Sequence, residues 1–321
     1  MNLASVTVFG GSGFVGRHVV RELAKAGAAV RVAVRRPDRA LFLKPMGDVG
    51  QITPVAANIR DDASVAAAVN GSEAVVNLVG ILFEAGRRTF DAVHHRGAER
   101  IARAAKAAGA ERLVHVSAIG AFDGAVSSYA RSKAAGEAAV RREFPGAAVV
   151  RPSIVFGADD NFFNLFAALA RLSPVLPLIG GGRTRFQPVY AGDVGAAVAA
   201  ILSSAQGAAG DAGTTHELGG PEILTFRELM ETVMQATDRN RLLVPVPFAI
   251  MEWYGAMLGL VPQPLLTRDQ VRMLRSDNTA EHGLPGLSDL GIVPTAISAI
   301  VPGYLGRYRR GGQFNRQSTA V

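Results

Sequence analysis

Tyr129 and Lys133, in the run Tyr129-Ala130-Arg131-Ser132-Lys133, are the residues of this chain best spaced for proton chemistry. Four residues apart on a helix, they share one face, one turn from each other. An ammonium beside a phenol favours the phenolate, so the pair predicts a general acid or base working near neutral pH. With five Tyr and four Lys in the chain, chance supplies roughly 0.06 such spacings, which makes the pair informative.

A second run, Phe9-Gly10-Gly11-Ser12-Gly13-Phe14-Val15-Gly16, lies between an apolar strand and a helix-length stretch. Glycines at 10, 13 and 16 permit a tight turn, let backbone N–H groups approach a pyrophosphate and let the helix pack on the strand. The spacing is G-x-x-G-x-x-G, and in this strand–turn–helix setting it predicts a dinucleotide site. About 20 residues further on, Arg35 and Arg36 stand where a carboxylate would accept from a ribose 2′-OH. Cations there suit a 2′-phosphate, so NADP(H) is favoured over NAD(H); the alternative is a solvated arginine pair in an Arg-rich chain. Asn58 and Ile59 are placed to frame the adenine, and Asn77, Leu78, Val79 and Gly80 to line the cofactor.

Four further features carry weaker expectations. His94-His95 is adjacent on a helix, so the rings diverge by about 100°, and a cap or helix-surface role is expected rather than a metal site. Asp159-Asp160 is expected to cap the helix from Asn161. Arg183 and Arg185, in a glycine-rich loop, either bind an anionic group or are solvated. The stretch Phe248 to Val261 carries one charge in fourteen residues and the only Trp. It is either a buried helix or an apolar element touching membrane or another subunit, and composition favours burial.

The elements that must position these groups follow an α/β rhythm. Strands are expected at Val6–Phe9, Ala28–Val34, Ile52–Val55, Ala74–Leu78, Arg112–Val116 and Ala147–Val150. Helices are expected at Val15–Ala26 (closed by Gly27), Phe90–Ala108 and Tyr129–Glu143. Repeated βα units of this length predict a doubly wound parallel sheet, a Rossmann fold, over residues 1–151. Pro and Gly clusters then mark a smaller, irregular lobe over 152–310 that can interleave with the core. Its helices are expected at Asn161–Leu172, Asp193–Ser203 and Thr225–Thr237, and a basic, disordered tail at 311–321.

Composition narrows the class. Of 321 residues 49% are hydrophobic and 19% charged, which excludes disorder and allows a large core. The net charge of +7 comes from 30 Arg and 4 Lys against 27 acidic residues. No stripe of interleaved basic and aromatic residues accompanies it, so no nucleic-acid partner is expected. The chain has no cysteine, so disulfides, thiolate metal sites and Cys nucleophiles are excluded. The first five residues carry no basic leader and no apolar run reaches the roughly 20 residues of a membrane span, so a cytoplasmic protein is expected.

The glycines at 10, 13 and 16, Ser117 ending a strand, and Tyr129-x-x-x-Lys133 together resemble the short-chain dehydrogenase/reductase superfamily, in its extended or atypical, epimerase/dehydratase-like branch. Within it, six stretches are similar to the nucleotide-binding accessory subunits of respiratory complex I and their bacterial relatives. These are Val76–Leu82, Val116–Gly120, Tyr129–Glu137, Gln187–Tyr190, Leu266–Val271 and Asp289–Ile292. The resemblance implies that Lys133 contacts the nicotinamide ribose, that Tyr129 faces the nicotinamide and that Pro152 touches it. It also implies respiratory-complex subunits or a quinone as partners, and a place peripheral to the inner membrane. One position departs from the pattern: two residues after Ser117, where extended members carry a hydroxyl for the substrate oxygen, stands Ile119. A Tyr–Lys pair without that hydroxyl can hold a cofactor without turning a substrate over, so both an accessory role and an active oxidoreductase or epimerase/dehydratase are open.

Overall fold

A computed structural model describes residues 4–203, 213–259, 264 and 266–312 of the chain. Six strands alternate with helices along the first 152 residues: β1 (Ser5–Phe9), β2 (Ala29–Val34), β3 (Ile52–Ala56), β4 (Ala74–Asn77), β5 (Arg112–Val116) and β6 (Ala148–Pro152). Between them run α1 (Phe14–Lys25), α2 (Asp62–Val69), α3 (Arg96–Ala107) and α4 (Ser128–Glu143). A seventh strand, Thr215–Leu218, joins the edge beside β6, giving the order Thr215–Leu218, β6, β5, β4, β1, β2, β3. Every pairing is parallel. The central strands show why the sequence alternates so little. Every residue of β4 and β5 is buried, because helices cover both faces of a parallel sheet. The chain order reverses between β1 and β4, the place where such sheets open a crevice for ligands at the carboxyl ends of their strands.

The chain divides into two compact units. The first comprises Met1–Pro152, Ala191–Leu218 and Ala280–Val293, so the sheet unit recruits two later segments in addition to the expected 1–151. The helix Ala191–Ser203 packs along α1. An ion triad with two buried carboxylates ties further segments together: Arg151 on β6 bonds Glu137 of α4 (2.7 Å) and Glu217 of the edge strand (3.3 Å). Glu217 in turn accepts the Glu281 amide at 2.8 Å.

The second unit comprises Ser153–Tyr190, Gly219–Thr279 and Pro294–Val321. Its core gathers Phe156, Phe163, Phe186 and Phe226 with aliphatic residues of the helices Phe226–Thr237 and Ile297–Leu305. Asp160 takes the amides of Gly157, Phe163 and Asn164, capping the helix Phe162–Leu172. Asp159 is exposed. Arg185, expected with Arg183 to meet an anion or solvent, is instead paired with Asp277 at 2.7 Å.

The apolar stretch from Phe248 forms the helix Phe248–Leu258, and burial by composition does not hold for it. Met251 and Gly255 are buried, while Ile250, Trp253, Tyr254 and Met257 are exposed. Apart from Glu252 the helix is apolar all round, and packing covers one face only. Residues 260 and 261 of that stretch, and the expected tail beyond 312, lie outside the described residues. Among the described residues no helix is long and apolar enough to cross a membrane.

Candidate nucleotide and active site

The glycine turn sits at the carboxyl end of β1. Gly10 has φ +80°, and a Cβ there would meet the Leu78 carbonyl carbon at 3.2 Å. A Cβ on Gly16 would lie 2.2 Å from the Gly10 carbonyl oxygen, so the first turn of α1 closes on the loop only because residue 16 has no side chain. Gly13 is the N-cap, its amide donating to the Gly10 carbonyl (3.0 Å), and no side chain caps the helix. Ser12, Phe14 and Val15 complete the turn, and Gly11 is wedged among Val8, Val20 and Val32. An uncapped helix N-terminus behind a loop that excludes side chains fits a pyrophosphate, whose charge the amide dipoles favour.

The opposite wall is the turn after β4. Asn77 is buried; its Oδ1 accepts the Val79 amide (3.1 Å) and its Nδ2 meets His115 Nδ1 (3.1 Å). Asn77 is thus a holder of the turn, presenting the partly exposed Leu78 and Val79 and the exposed Gly80 beside Gly10.

The residues that follow β2 and β3, where the sequence places an adenine, frame a second space. A cavity of about 280 Å³ is lined by Arg35, Ala56, Ala57, Asn58, Arg60 and Ser64. Arg36 is exposed and opens the 3-10 turn Pro37–Met46 outside those walls. Asn58 receives the Arg60 amide on Oδ1 (3.2 Å) and donates its own amide to Ser64 Oγ (2.9 Å). Ile59 packs its side chain against Gly97 and accepts Arg100 on its carbonyl (2.9 Å). Arg60 escaped the sequence reading. Its signal lay in the parallel register of β2 on β3, where Val34 is opposite Ala56 and the residues just beyond the two strands are neighbours.

The Tyr129–Lys133 pair lies on α4. α4 is capped by Ser127, whose Oγ accepts the Ala130 amide (3.3 Å), and it carries Tyr129 and Lys133 toward β5. Lys133 is buried, donates to the Val116 carbonyl (3.1 Å) and lies 5.9 Å from the Tyr129 ring centroid. Burial lowers the lysine to about 8, with Glu137 pulling the other way, and burial pushes the Tyr129 phenol up to about 12. Desolvation disfavours the phenolate, and the ammonium donates to a backbone carbonyl.

His94, expected in a cap or helix-surface role, is buried. The expected single helix Phe90–Ala108 opens with a π turn, Asp91–His95, before α3. That turn swings the His94 ring inward between Phe90 (5.4 Å, stacked) and Tyr129 (5.3 Å, edge-on). Its Nε2 accepts the Ile81 amide (2.9 Å), which leaves Nδ1–H to donate to Ser132 Oγ (2.8 Å); Ser132 in turn donates to the Tyr129 carbonyl (2.7 Å). Burial and the Lys133 charge lower His94 to about 2, so it stays neutral and acts as a clasp between the β4 turn and α4. Gly136 permits the closure, since a Cβ there would lie 2.1 Å from the His94 carbonyl oxygen. His95 instead pairs with Asp91 at 2.9 Å.

At the end of β5, Ser117 Oγ is buried with no hydrogen-bond partner among the described residues, and its amide donates to the Val150 carbonyl (2.7 Å). Ile119 donates its amide to the Pro152 carbonyl (3.1 Å), linking the turn after β5 to the end of β6. Its side chain has no group to polarise a substrate oxygen.

Residues 10–157 match the NAD(P)H-binding family. The chain is 36% identical to the NADH dehydrogenase [ubiquinone] 1 alpha subcomplex subunit 9, mitochondrial, of Arabidopsis thaliana, over 95% of this chain and 78% of that protein. The Mus musculus protein of the same name is also 36% identical, over 91% and 77%. The fold matches that of an NADPH-dependent quinone oxidoreductase from Escherichia coli solved with NADPH, with a TM-score of 0.73 at 20% identity, covering 94% of this chain and 98% of that one. Kinship sustained along the sheet unit and the later segments alike places the chain in the family of the NADH dehydrogenase [ubiquinone] 1 alpha subcomplex subunit 9 proteins.

Proposed function

We propose that this protein is an accessory or assembly subunit of a respiratory, quinone-linked complex, holding NADP(H) in preference to NAD(H), with the nucleotide serving stability more than turnover. The observation that carries this reading is the 36% identity with a NADH dehydrogenase subunit over 95% of the chain. The site supports it. Gly10, Gly13 and Gly16 would cradle the pyrophosphate, Arg35 the 2′-phosphate, Asn58 and Ile59 the adenine, and Leu78–Gly80, Ser117, Tyr129, Lys133 and Pro152 the nicotinamide half. Bound there, the nicotinamide supplies a hydride donor or acceptor. The chain's own acid–base set is poorly tuned to use it, with Tyr129 up at about 12 and Ile119 in place of a hydroxyl. Native mass spectrometry of the purified protein tests the reading: a nucleotide retained at one per chain is expected, and a protein that neither retains nor binds one contradicts it.

The partner is a membrane-bound complex, and the protein sits at the periphery of that membrane on its cytoplasmic face. The exposed Ile250, Trp253, Tyr254 and Met257 offer an apolar surface, and Glu252 on the same helix draws in Arg268, Arg272 and Arg275, three cations against one carboxylate. Such a surface suits apolar contact beside anionic headgroups.

A working NADP(H)-dependent reductase, on a quinone or a related carbonyl, is the second reading. It is favoured by the retention of Tyr129 and Lys133 on one helix face. Following NADPH absorbance against a panel of soluble quinones separates the two. Slow or undetectable oxidation supports the accessory role, and rapid oxidation that disappears in Tyr129→Phe supports the reductase.

A further inference from the structure

We infer that Arg60, held in place by the hairpin at residues 85–88, joins Arg35 in distinguishing NADP(H) from NAD(H). The inference rests on the NADP(H) reading above and adds to its specificity a group outside the Arg35-Arg36 pair.

Three observations converge on Arg60. It lines the cavity after β2 and β3 together with Arg35, and Arg36 does not, so two guanidiniums from neighbouring strand ends bound one space. Its backbone is fixed, because the Arg60 amide donates to Asn58 Oδ1 (3.2 Å) and Asp61 then caps α2 through the Ser64 amide (2.7 Å). Its tip is fixed as well: Arg60 Nη1 donates to the Arg87 carbonyl at 3.2 Å. That carbonyl belongs to a two-residue hairpin in which Ala85 and Arg88 exchange both backbone bonds (3.0 and 3.1 Å) around Gly86 at φ +55°.

A free surface arginine gives up considerable rotamer freedom when it clamps an anion. Here the turn after β3 holds one end and the hairpin the other, so much of that ordering precedes the ligand, which is the physical content of preorganisation. The guanidinium has five N–H donors, and the Arg87 carbonyl uses one. The remaining donors suit a phosphate monoester on the adenosine ribose, facing Arg35 across the cavity, and a ribose hydroxyl offers them no charge. The hairpin is thereby a specificity element that touches the nucleotide only through Arg60.

The test compares NADPH and NADH affinities of the full-length protein, its Arg60→Ala and Gly86→Val variants, and the double variant. Arg60 is exposed, and a Cβ on Gly86 meets nothing within 4 Å, so these substitutions leave the core intact. Valine at a positive φ is strained and displaces the hairpin. Arg60→Ala is expected to weaken NADPH about ten- to a hundredfold and NADH less than about twofold. Gly86→Val is expected to weaken NADPH about three- to tenfold when Arg60 is present and not at all when it is absent. Equal losses for both nucleotides in Arg60→Ala, or no loss, overturn the assignment. Equal effects of Gly86→Val in both backgrounds overturn the hairpin's part in it. A wild-type protein without preference for NADPH contradicts the NADP(H) reading itself, whereas a preference undiminished in Arg60→Ala contradicts only the role given to Arg60.

Discussion

Arg35 lines the cavity after β2 and β3 and its neighbour Arg36 starts the next turn outside it, so the two arginines are not equivalent. Calorimetry is expected to find NADPH weakened about tenfold or more by Arg35→Ala and less than about threefold by Arg36→Ala; the reverse order would relocate the phosphate. Lys133 makes a second residue-scale prediction. Burial lowers it from 10.5 to about 8. Below about 8 both folded and unfolded chains carry its proton and the cost of burying the ammonium is fully present. Between about 8 and 10.5 the unfolded chain binds more protons, so this group makes stability rise with pH, by up to about 1.4 kcal/mol per unit. Denaturant unfolding of wild type and Lys133→Met from pH 7 to 10 checks this, and an unchanged slope in the variant would mean that Lys133 stays protonated throughout. The spacing of Tyr129 and Lys133 was legible in the sequence because helical geometry is local. Their protonation was not, because it depends on how much water β5 and the His94 clasp exclude.

At the scale of elements, the contact of α4 with the π turn organises the site. Gly136 has no room for a methyl group, since the atom it would strike is a backbone carbonyl that cannot rotate away. Gly136→Ala is expected to destabilise the protein by about 1–3 kcal/mol and to weaken nucleotide binding with it, as read by urea unfolding and calorimetry on the same sample. An unchanged midpoint would show that α4 can shift freely. The expected helix Phe90–Ala108 was legible from its apolar period, but the extra residue of the π turn was not. Nothing local in Asp91-Ala92-Val93-His94-His95 calls for it, and its advantage arises only when His94 finds Ile81 and Ser132. The seventh strand escaped for a similar reason: Thr215–Leu218 is short, and it becomes a strand by adding to the open edge of β6.

Across the whole molecule, buried neutral histidines set the acid limit. His94 and His115 are lowered by burial to about 2 and about 3. Below their ordinary 6.5 the unfolded chain takes up protons that the folded chain refuses. Their contribution to stability is complete above that pH and is lost as the pH falls toward 3, at about 1.4 kcal/mol per unit for each histidine. Stability measured at pH 7, 6 and 5 is expected to fall steeply, and His115→Leu to remove about half of the two-histidine contribution; a flat profile would contradict the burial of both rings. Association belongs to this scale as well. Cell fractionation in low and high salt, followed by a native gel of detergent-solubilised membranes, is expected to find the protein in a large assembly. Replacing Trp253 and Met257 together by Ser is expected to release it. A protein that is wholly soluble at low salt and migrates at its own mass would end the proposal of a membrane-bound partner.

The glycine turn, the α/β order of the first 150 residues and the Tyr129–Lys133 spacing were all present in the sequence, because each is a local pattern: a turn only small residues can make, a period of apolar residues, one helical repeat. Tertiary structure alone decided the rest. It brought Arg60 beside Arg35 through the register of two parallel strands. It turned His94 inward, and it left one side of the helix Phe248–Leu258 exposed. The physical reason is common to all three: burial and charge environment are properties of whatever the fold places alongside a residue, and those neighbours are far away in the chain.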